Sequence, residues 1–306
     1  MPILFEELRQ LLIERLLVVG KGEKYNQVVL LAGGPGSGKS HVVKNLIGGE
    51  WKVHDPDALK FMLIKLGKNI EAYRELEDKY GKQAIADVLN TGTDAILRNL
   101  KGGRIDTLFK GVSKFDLKKN PKDVETLHNM VKGIGFDKKQ MMLSLVHNID
   151  SPNKPNIIID RTMQTQKNSE ELIQSIRNYG YKAENIHIVW VLTDYREAIF
   201  RNYFRDRRIY HSDVLKAHIG VKNTMNNLVL RNYKGLGING DVTVVLNDGK
   251  ELVPKYIRVK RAGKTGFDET GISKLVAEIE KLTPPSDQME PELDALDALY
   301  PQTKRK

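Results

Sequence analysis

Val28-Val29-Leu30-Leu31-Ala32-Gly33-Gly34-Pro35-Gly36-Ser37-Gly38-Lys39-Ser40, followed by His41-Val42-Val43-Lys44-Asn45-Leu46-Ile47, is the stretch that decides the fold. An apolar run of strand character leads into a complete G-x4-G-K-S pattern, and a helical pattern follows. The glycines let backbone N–H groups turn toward a phosphate, and the first helical turn adds its partial positive charge at the same point. Gly33, Gly34, Pro35, Gly36, Ser37, Gly38, Lys39, Ser40 and His41 therefore form the expected ATP site. Lys39 is expected at the β- and γ-phosphates, and the Ser40 hydroxyl on Mg²⁺. A glycine-rich turn that binds nothing would not need the lysine, the hydroxyl and both flanking elements together.

Outward from this stretch the chain alternates strands and helices. Trp51-Lys52-Val53 is a short second strand running into His54-Asp55-Pro56-Asp57. Asn156-Ile157-Ile158-Ile159-Asp160 and the almost wholly apolar Ile186-His187-Ile188-Val189-Trp190-Val191-Leu192 read as buried parallel strands. Asp241 to Leu246 is a last core strand, and Tyr256-Ile257-Arg258-Val259 an edge hairpin. Helices are expected over Phe5 to Val18, Leu59 to about Leu100, Lys138 to His147, Ser169 to Tyr179, Tyr195 to Arg208, and Ser273 to Leu282. This order predicts an α/β fold: a three-layer P-loop NTPase-type parallel sheet with helices on both faces and a helical, basic insertion.

The expected organisation is one kinase-sized domain over residues 1–283, beginning with an N-terminal helix within residues 3–18. Residues 101–154 interrupt it as a basic, loop-rich insertion on the substrate side, longer than an ordinary α/β connection. Residues 284–306 open with Pro284-Pro285-Ser286 and end with Lys304-Arg305-Lys306, the pattern of a polar, mobile tail.

Of 306 residues, 49 are Lys or Arg and 39 Asp or Glu, a net charge of +10 that favours polyanionic partners, nucleic acid above all. With no cysteine, the chain has no disulfides, thiolate metal sites or cysteine nucleophiles. No apolar run has the length of a membrane span, so no membrane partner is expected. Met1-Pro2-Ile3-Leu4-Phe5 lacks the basic start of a secretory signal, and the expected location is the cytoplasm.

Phosphoryl transfer needs the nucleotide held, the metal placed, the acceptor aligned and its proton accepted. Ligands of open α/β sheets gather at the carboxyl ends of strands, and two such ends carry carboxylates here. Asp55 and Asp57 can accept the acceptor's proton or hold Mg²⁺ through water, and Asp57 can equally cap the helix that follows. Asp160, after three isoleucines, has the position of a Mg²⁺-supporting carboxylate, although an Asp after a strand is also an ordinary turn residue. Arg201, Arg205 and Arg208 fall on one face of the expected helix at i, i+4 and i+7. Such a stripe suits a lid closing over phosphate; a solvated charged face is the alternative.

With those residues in hand, the core resembles the zeta-toxin and polynucleotide-kinase branch of P-loop kinases. The matching pieces are Gly33 to Ser40, Asp55-Pro56-Asp57-Ala58-Leu59-Lys60, Asp160-Arg161-Thr162, and Arg201-Asn202-Tyr203-Phe204-Arg205. They lie within Val28 to Lys60 and Asn156 to Arg208. The resemblance implies Asp57 as general base, Asp160 and Thr162 orienting the acceptor or supporting the metal, and Arg201 with Arg205 as the lid. Asp55 and Arg161 would line the acceptor site. The zeta-toxin pattern usually has Glu-Gly-Thr where this chain has Asp160-Arg161-Thr162. Arg161 thus replaces a pocket-lining glycine, and can meet an acceptor phosphate where that branch holds a nucleotide sugar. The expected function is transfer of the γ-phosphate of ATP to a hydroxyl of a nucleic acid or nucleotide. A 5′-hydroxyl end or a hydroxymethylated base in DNA would serve. The rivals are a zeta-toxin-like kinase of a nucleotide sugar and an ATP-hydrolysing switch or motor.

Overall fold

In the computed structural model the described residues are 17, 19–54, 115–133, 151–229, 236–247, 254–264, 266–283 and 289–302. The expected N-terminal helix apart from Leu17, the expected helices at 59–100 and 138–147, and Asp55 and Asp57 lie outside them; Leu17 itself forms a parallel β-bridge with Ile47, not a helical turn.

Four of the apolar runs named above become strands: β1 Val28–Ala32, β3 Ile157–Asp160, β4 Ile186–Leu192 and β5 Val242–Leu246. β2, Lys52–His54, precedes β3, and β6, Lys255–Lys260, follows β5. They form one six-stranded sheet in the order β2-β3-β1-β4-β5-β6. β1 pairs in parallel with both β3 and β4, and β4 in parallel with β5. β6 runs antiparallel to β5. The fold is thus α/β, a mostly parallel sheet with helices on both sides.

The strand giving rise to the glycine loop sits in the middle of the sheet, buried at every position. Its odd positions Val29 and Leu31 share a cluster with Ile158, Val189, Val191 and Val245 from the neighbouring strands. Helix α1, Lys39–Asn45, covers that cluster with Val42, and Leu46 and Ile47 follow it there. A fully buried aliphatic side chain of this kind contributes about 1.5–3 kcal/mol. This packing is what holds the loop between β1 and α1 in one place.

The remaining helices among the described residues are α2 Pro121–Gly133, α3 Gln166–Asn178, α4 Tyr195–Phe204, α5 His211–Val229, α6 Glu269–Leu282 and α7 Met289–Leu299. α6 packs on β6, and α7 on α5. Asp268 caps α6 by accepting from the Thr270 and Gly271 N–H groups at 3.1 and 3.2 Å.

Three expectations need correction. α2 lies in the insertion expected to be helical and basic, but in a stretch of it given no helix; Asn120 starts it by accepting from the Lys122 N–H at 3.1 Å, with Pro121 at the first helical position. α5 stands where no helix was expected. The supposed mobile tail contains α7, whose Leu296 is buried, whose Asp297 meets His211 at 2.8 Å, and whose Glu292 meets Arg196 at 3.1 Å.

The chain divides into two compact units. The first, Met1–Val53 with Asp150–Arg201 and His211–Pro301, contains the sheet. The second comprises His54–Ile149, Asn202–Tyr210 and Gln302–Lys306. Within it Leu117, Val124 and Leu127 are buried, and the Arg208 N–H donates to the Leu117 carbonyl at 2.8 Å. No helix among the described residues is long and apolar enough to cross a membrane.

Candidate active site

The loop between β1 and α1 crosses the carboxyl end of the sheet, and its carbonyl groups are tied off one after another. Gly33 and Gly34 carbonyls both accept from Lys39 Nζ, at 2.9 and 3.2 Å. The Pro35 carbonyl is 3.0 Å from His218 Nε2. A long contact of 3.4 Å joins the Gly36 carbonyl to Arg201 Nη1. The Ser37 carbonyl accepts from Thr193 Oγ1 at 2.9 Å and from Asn247 Nδ2 at 2.8 Å. The Gly38 carbonyl accepts the Val42 N–H at 3.1 Å inside α1. A carbonyl repels an anion and an N–H attracts one, so binding each carbonyl to a donor favours negative charge at this loop.

The donors come from five places: α1, the end of β4, the end of β5, α4 and α5. Thr193 follows β4 directly, and its Oγ1 also lies 2.8 Å from the Asn247 carbonyl, so its one proton is shared between the Ser37 and Asn247 carbonyls and the hydroxyl joins two strand ends to the loop. Two glycines are obligatory for this packing. Gly36, at φ +79°, sits where a Cβ would lie 2.3 Å from the Ala198 carbonyl oxygen of α4. Gly38, at φ +86°, caps α1 in a left-handed conformation, and a Cβ there would lie 2.1 Å from Asn247 Nδ2.

Lys39 also stands 3.8 Å from Asp160 Oδ1, both side chains largely buried. The sheet order brings them together: Asp160 ends β3 in register with Leu31 of β1. The backbone of the same strand end reaches the loop, with the Gly33 N–H donating to the Thr162 carbonyl at 3.3 Å. Ser40, in the first turn of α1, is exposed. His41 turns along its own helix, where its Nδ1 is 3.0 Å from Asn45 Nδ2. Arg201 is oriented from one turn earlier, donating from Nε to Glu197 Oε1 at 2.8 Å. Asp194 caps its helix, accepting from the Arg196 N–H at 2.8 Å.

No family model matches the sequence, and no curated protein does. Solved structures similar in shape include AvrRxo1-ORF1:-ORF2 with ATP, at TM-score 0.46 and 11% identity, over 90% of this chain and 77% of that one. Another is from the PezAT chromosomal toxin–antitoxin system of Streptococcus pneumoniae, at TM-score 0.35 and 12% identity, over 97% of this chain and 93% of that one. Similarity this distant carries no inference about activity, which rests on the residues themselves.

Of the residues read from the sequence, the structure gathers the whole loop, Lys39, Asp160, Thr162 and Arg201. Arg161 lies half-buried beside Asp160. Asp55 and Asp57 are outside the described residues. The arginine stripe needs correction: α4 ends at Phe204, so Arg205 and Arg208 do not continue a helical face with Arg201. Asn202 gives the chain a different course, donating from Nδ2 to the Ile209 carbonyl at 2.9 Å and accepting its N–H at 3.2 Å. Arg208 instead stacks on Tyr203, 4.3 Å from its ring centre.

Sequence reasoning missed Thr193, Asn247 and His218. Thr193 and Asn247 each follow a strand end, a place where ligand-facing residues collect, so a signal existed for them. His218 had none, since its partner is 183 residues away in the chain. Burial, and secondarily the Lys39 ammonium, lower its pKa to about 4, with the bond to Pro35 opposing them. Its imidazole is neutral, and Nε2 carries the proton because the carbonyl only accepts.

Proposed function

We propose that the chain is an ATP- and Mg²⁺-dependent kinase that moves the γ-phosphate to a hydroxyl of a nucleic acid or nucleotide. The observation that carries this reading is the loop of residues 33–38 with its carbonyls bound to donors and Lys39 set beside Asp160. A strand-borne carboxylate next to the loop lysine is the arrangement a nucleotide–metal complex needs.

The donor set fits Mg²⁺: the Ser40 hydroxyl and Asp160 carboxylate are hard oxygen ligands, and either would hold the ion. Among the described residues no group of three or more His, Asp or Glu side chains gathers around a common point. The remaining ligands would then be phosphate oxygens and water. When bound, the ion neutralises charge on the β- and γ-phosphates. Lys39 binds the same phosphates, and Arg201, at the Gly36 end of the loop, stabilises charge on the transferring group. The acceptor oxygen attacks the γ-phosphorus, its proton passes to the Asp57 carboxylate, and the bond to the bridging oxygen of ADP breaks. Asp55, Arg161 and Thr162 complete the acceptor side, and Arg205 acts with Arg201 as the lid. The +10 charge supports a polyanionic acceptor.

The test is transfer of labelled γ-phosphate to 5′-hydroxyl DNA and RNA, duplex DNA with a hydroxymethylated base, and UDP-N-acetylglucosamine. Lys39→Ala is the blank. Label on nucleic acid, with a rate that falls steeply as salt rises, is the expected result. Label only on the sugar nucleotide makes the chain a nucleotide-sugar kinase, and free phosphate alone makes it a switch or motor.

A further inference from the structure

We propose that His218 is a positioning residue of the phosphate loop, fixing Gly34 by the face of its ring and Pro35 by its Nε2–H. The inference rests on reading that loop as the nucleotide site, and it names a determinant lying outside the motif. His218 stands on α5, 4% exposed, with its Nε2 3.0 Å from the Pro35 carbonyl. The contact with Gly34 is as close: a Cβ on that glycine would lie 2.2 Å from His218 Cδ2 and 2.4 Å from Nε2. Imidazole and loop are therefore in contact on both sides of one peptide unit. The Gly34 carbonyl in turn accepts the Ser37 N–H at 3.2 Å and Lys39 Nζ at 3.2 Å. A shift at Gly34–Pro35 thus reaches the side chain that meets the nucleotide.

The helix itself has a fixed seat. Val214, Leu215, Val221 and Met225 are buried along it. Gly220 lets it approach the segment after β3 so closely that a Cβ would lie 2.6 Å from the Gln164 carbonyl oxygen. α5 therefore touches the phosphate loop and the chain that leaves Asp160. Its histidine converts that seat into a fixed loop shape.

The test measures affinity for a fluorescent ATP analogue, with kcat and KM, in the full chain and in His218→Phe, His218→Gln, Leu215→Ala and Gly34→Ala. Phe keeps a ring but leaves the Pro35 carbonyl without its donor, and about tenfold weaker binding is expected. KM for ATP should rise with it while kcat changes far less. Gln supplies a donor amide and should restore most of the affinity. Leu215→Ala weakens the same helix by opening a cavity and should leave affinity unchanged. Gly34→Ala drives a methyl into the ring while leaving α5 intact, and should lose at least as much as Phe. It carries the test should the Phe variant not fold.

Unchanged affinity in His218→Phe or Gly34→Ala overturns the role of His218 alone, as does an equal loss in Leu215→Ala. A wild-type chain that binds no nucleotide overturns the nucleotide site, and this inference with it.

Discussion

Helix α5 holds two segments through two histidines seven residues apart, and it holds them differently. His218 meets the phosphate loop through a backbone carbonyl, in a fully enclosed place. His211 meets α7 through the carboxylate of Asp297, whose side chain remains 31% exposed. A bond from a neutral ring to a carbonyl keeps one state down to the pH at which the buried ring takes up a proton, about 4 for His218. A pair made with an exposed carboxylate is screened by salt and competes with water. The loop is set into the core, whereas the tail helix is moored to its surface.

Four measurements can break or sharpen that contrast. The largest effect is expected at the loop, where Lys39→Ala should lower phosphate transfer by about 10³-fold or more, read as steady-state release of label. Next is Leu46→Ala at the end of α1, in the cluster that seats the loop. It should cost about 2–5 kcal/mol in denaturant unfolding; a smaller cost would mean the loop depends little on the core.

The third is acid. Burial lowers both His187 and His218 to about 4 in the folded chain, with Lys39 adding to the effect at His218 and Arg258 and Lys260 at His187. The unfolded chain binds those protons near pH 6.5, so stability is full above that value and declines as pH falls toward 4. Each histidine should account for up to about 3 kcal/mol of that decline, visible as a falling melting temperature. A flat profile between pH 6.5 and 4 would contradict the neutral, buried state of both rings. The smallest effect is Asp297→Asn on the moored side, within about 1 kcal/mol and shrinking as salt rises.

The sequence made the sheet and its loop readable for a physical reason. Val28 to Ala32, Ile157 to Ile159 and Ile186 to Leu192 are nearly continuous apolar runs, as strands buried on both faces must be. α5 carried Val214, Ala217, Val221, Met225 and Leu228 at helical spacing, a signal obscured by the polar residues between them. It presents His211, His218, Lys222 and Asn227 to α7, the loop, α6 and α3 in turn, with Gly220 in its middle. α2 carried a signal in Asn120-Pro121, a cap followed by the residue best suited to a first helical turn, and its lysines obscured it. α7 carried Leu293, Leu296 and Leu299 at helical spacing inside an otherwise acidic stretch. Within the site, motif and strand ends were legible because they are local. His218 was not, because tertiary packing alone brings it to Pro35.

At the far side of the sheet, β6 ends the strand order and bears Lys255, Arg258 and Lys260 among six residues. A strand edge is where a second copy could add its own strand and begin a fibre, although α6 packs on this strand and the Asp268 N–H already donates to its Val259 carbonyl. Two such edges meeting would bring like charges within a few ångströms, in a molecule already carrying +10. Colloidal stability is therefore electrostatic at this edge, and light scattering should show the chain dispersed in dilute buffer and self-associating as salt shortens the reach of that repulsion.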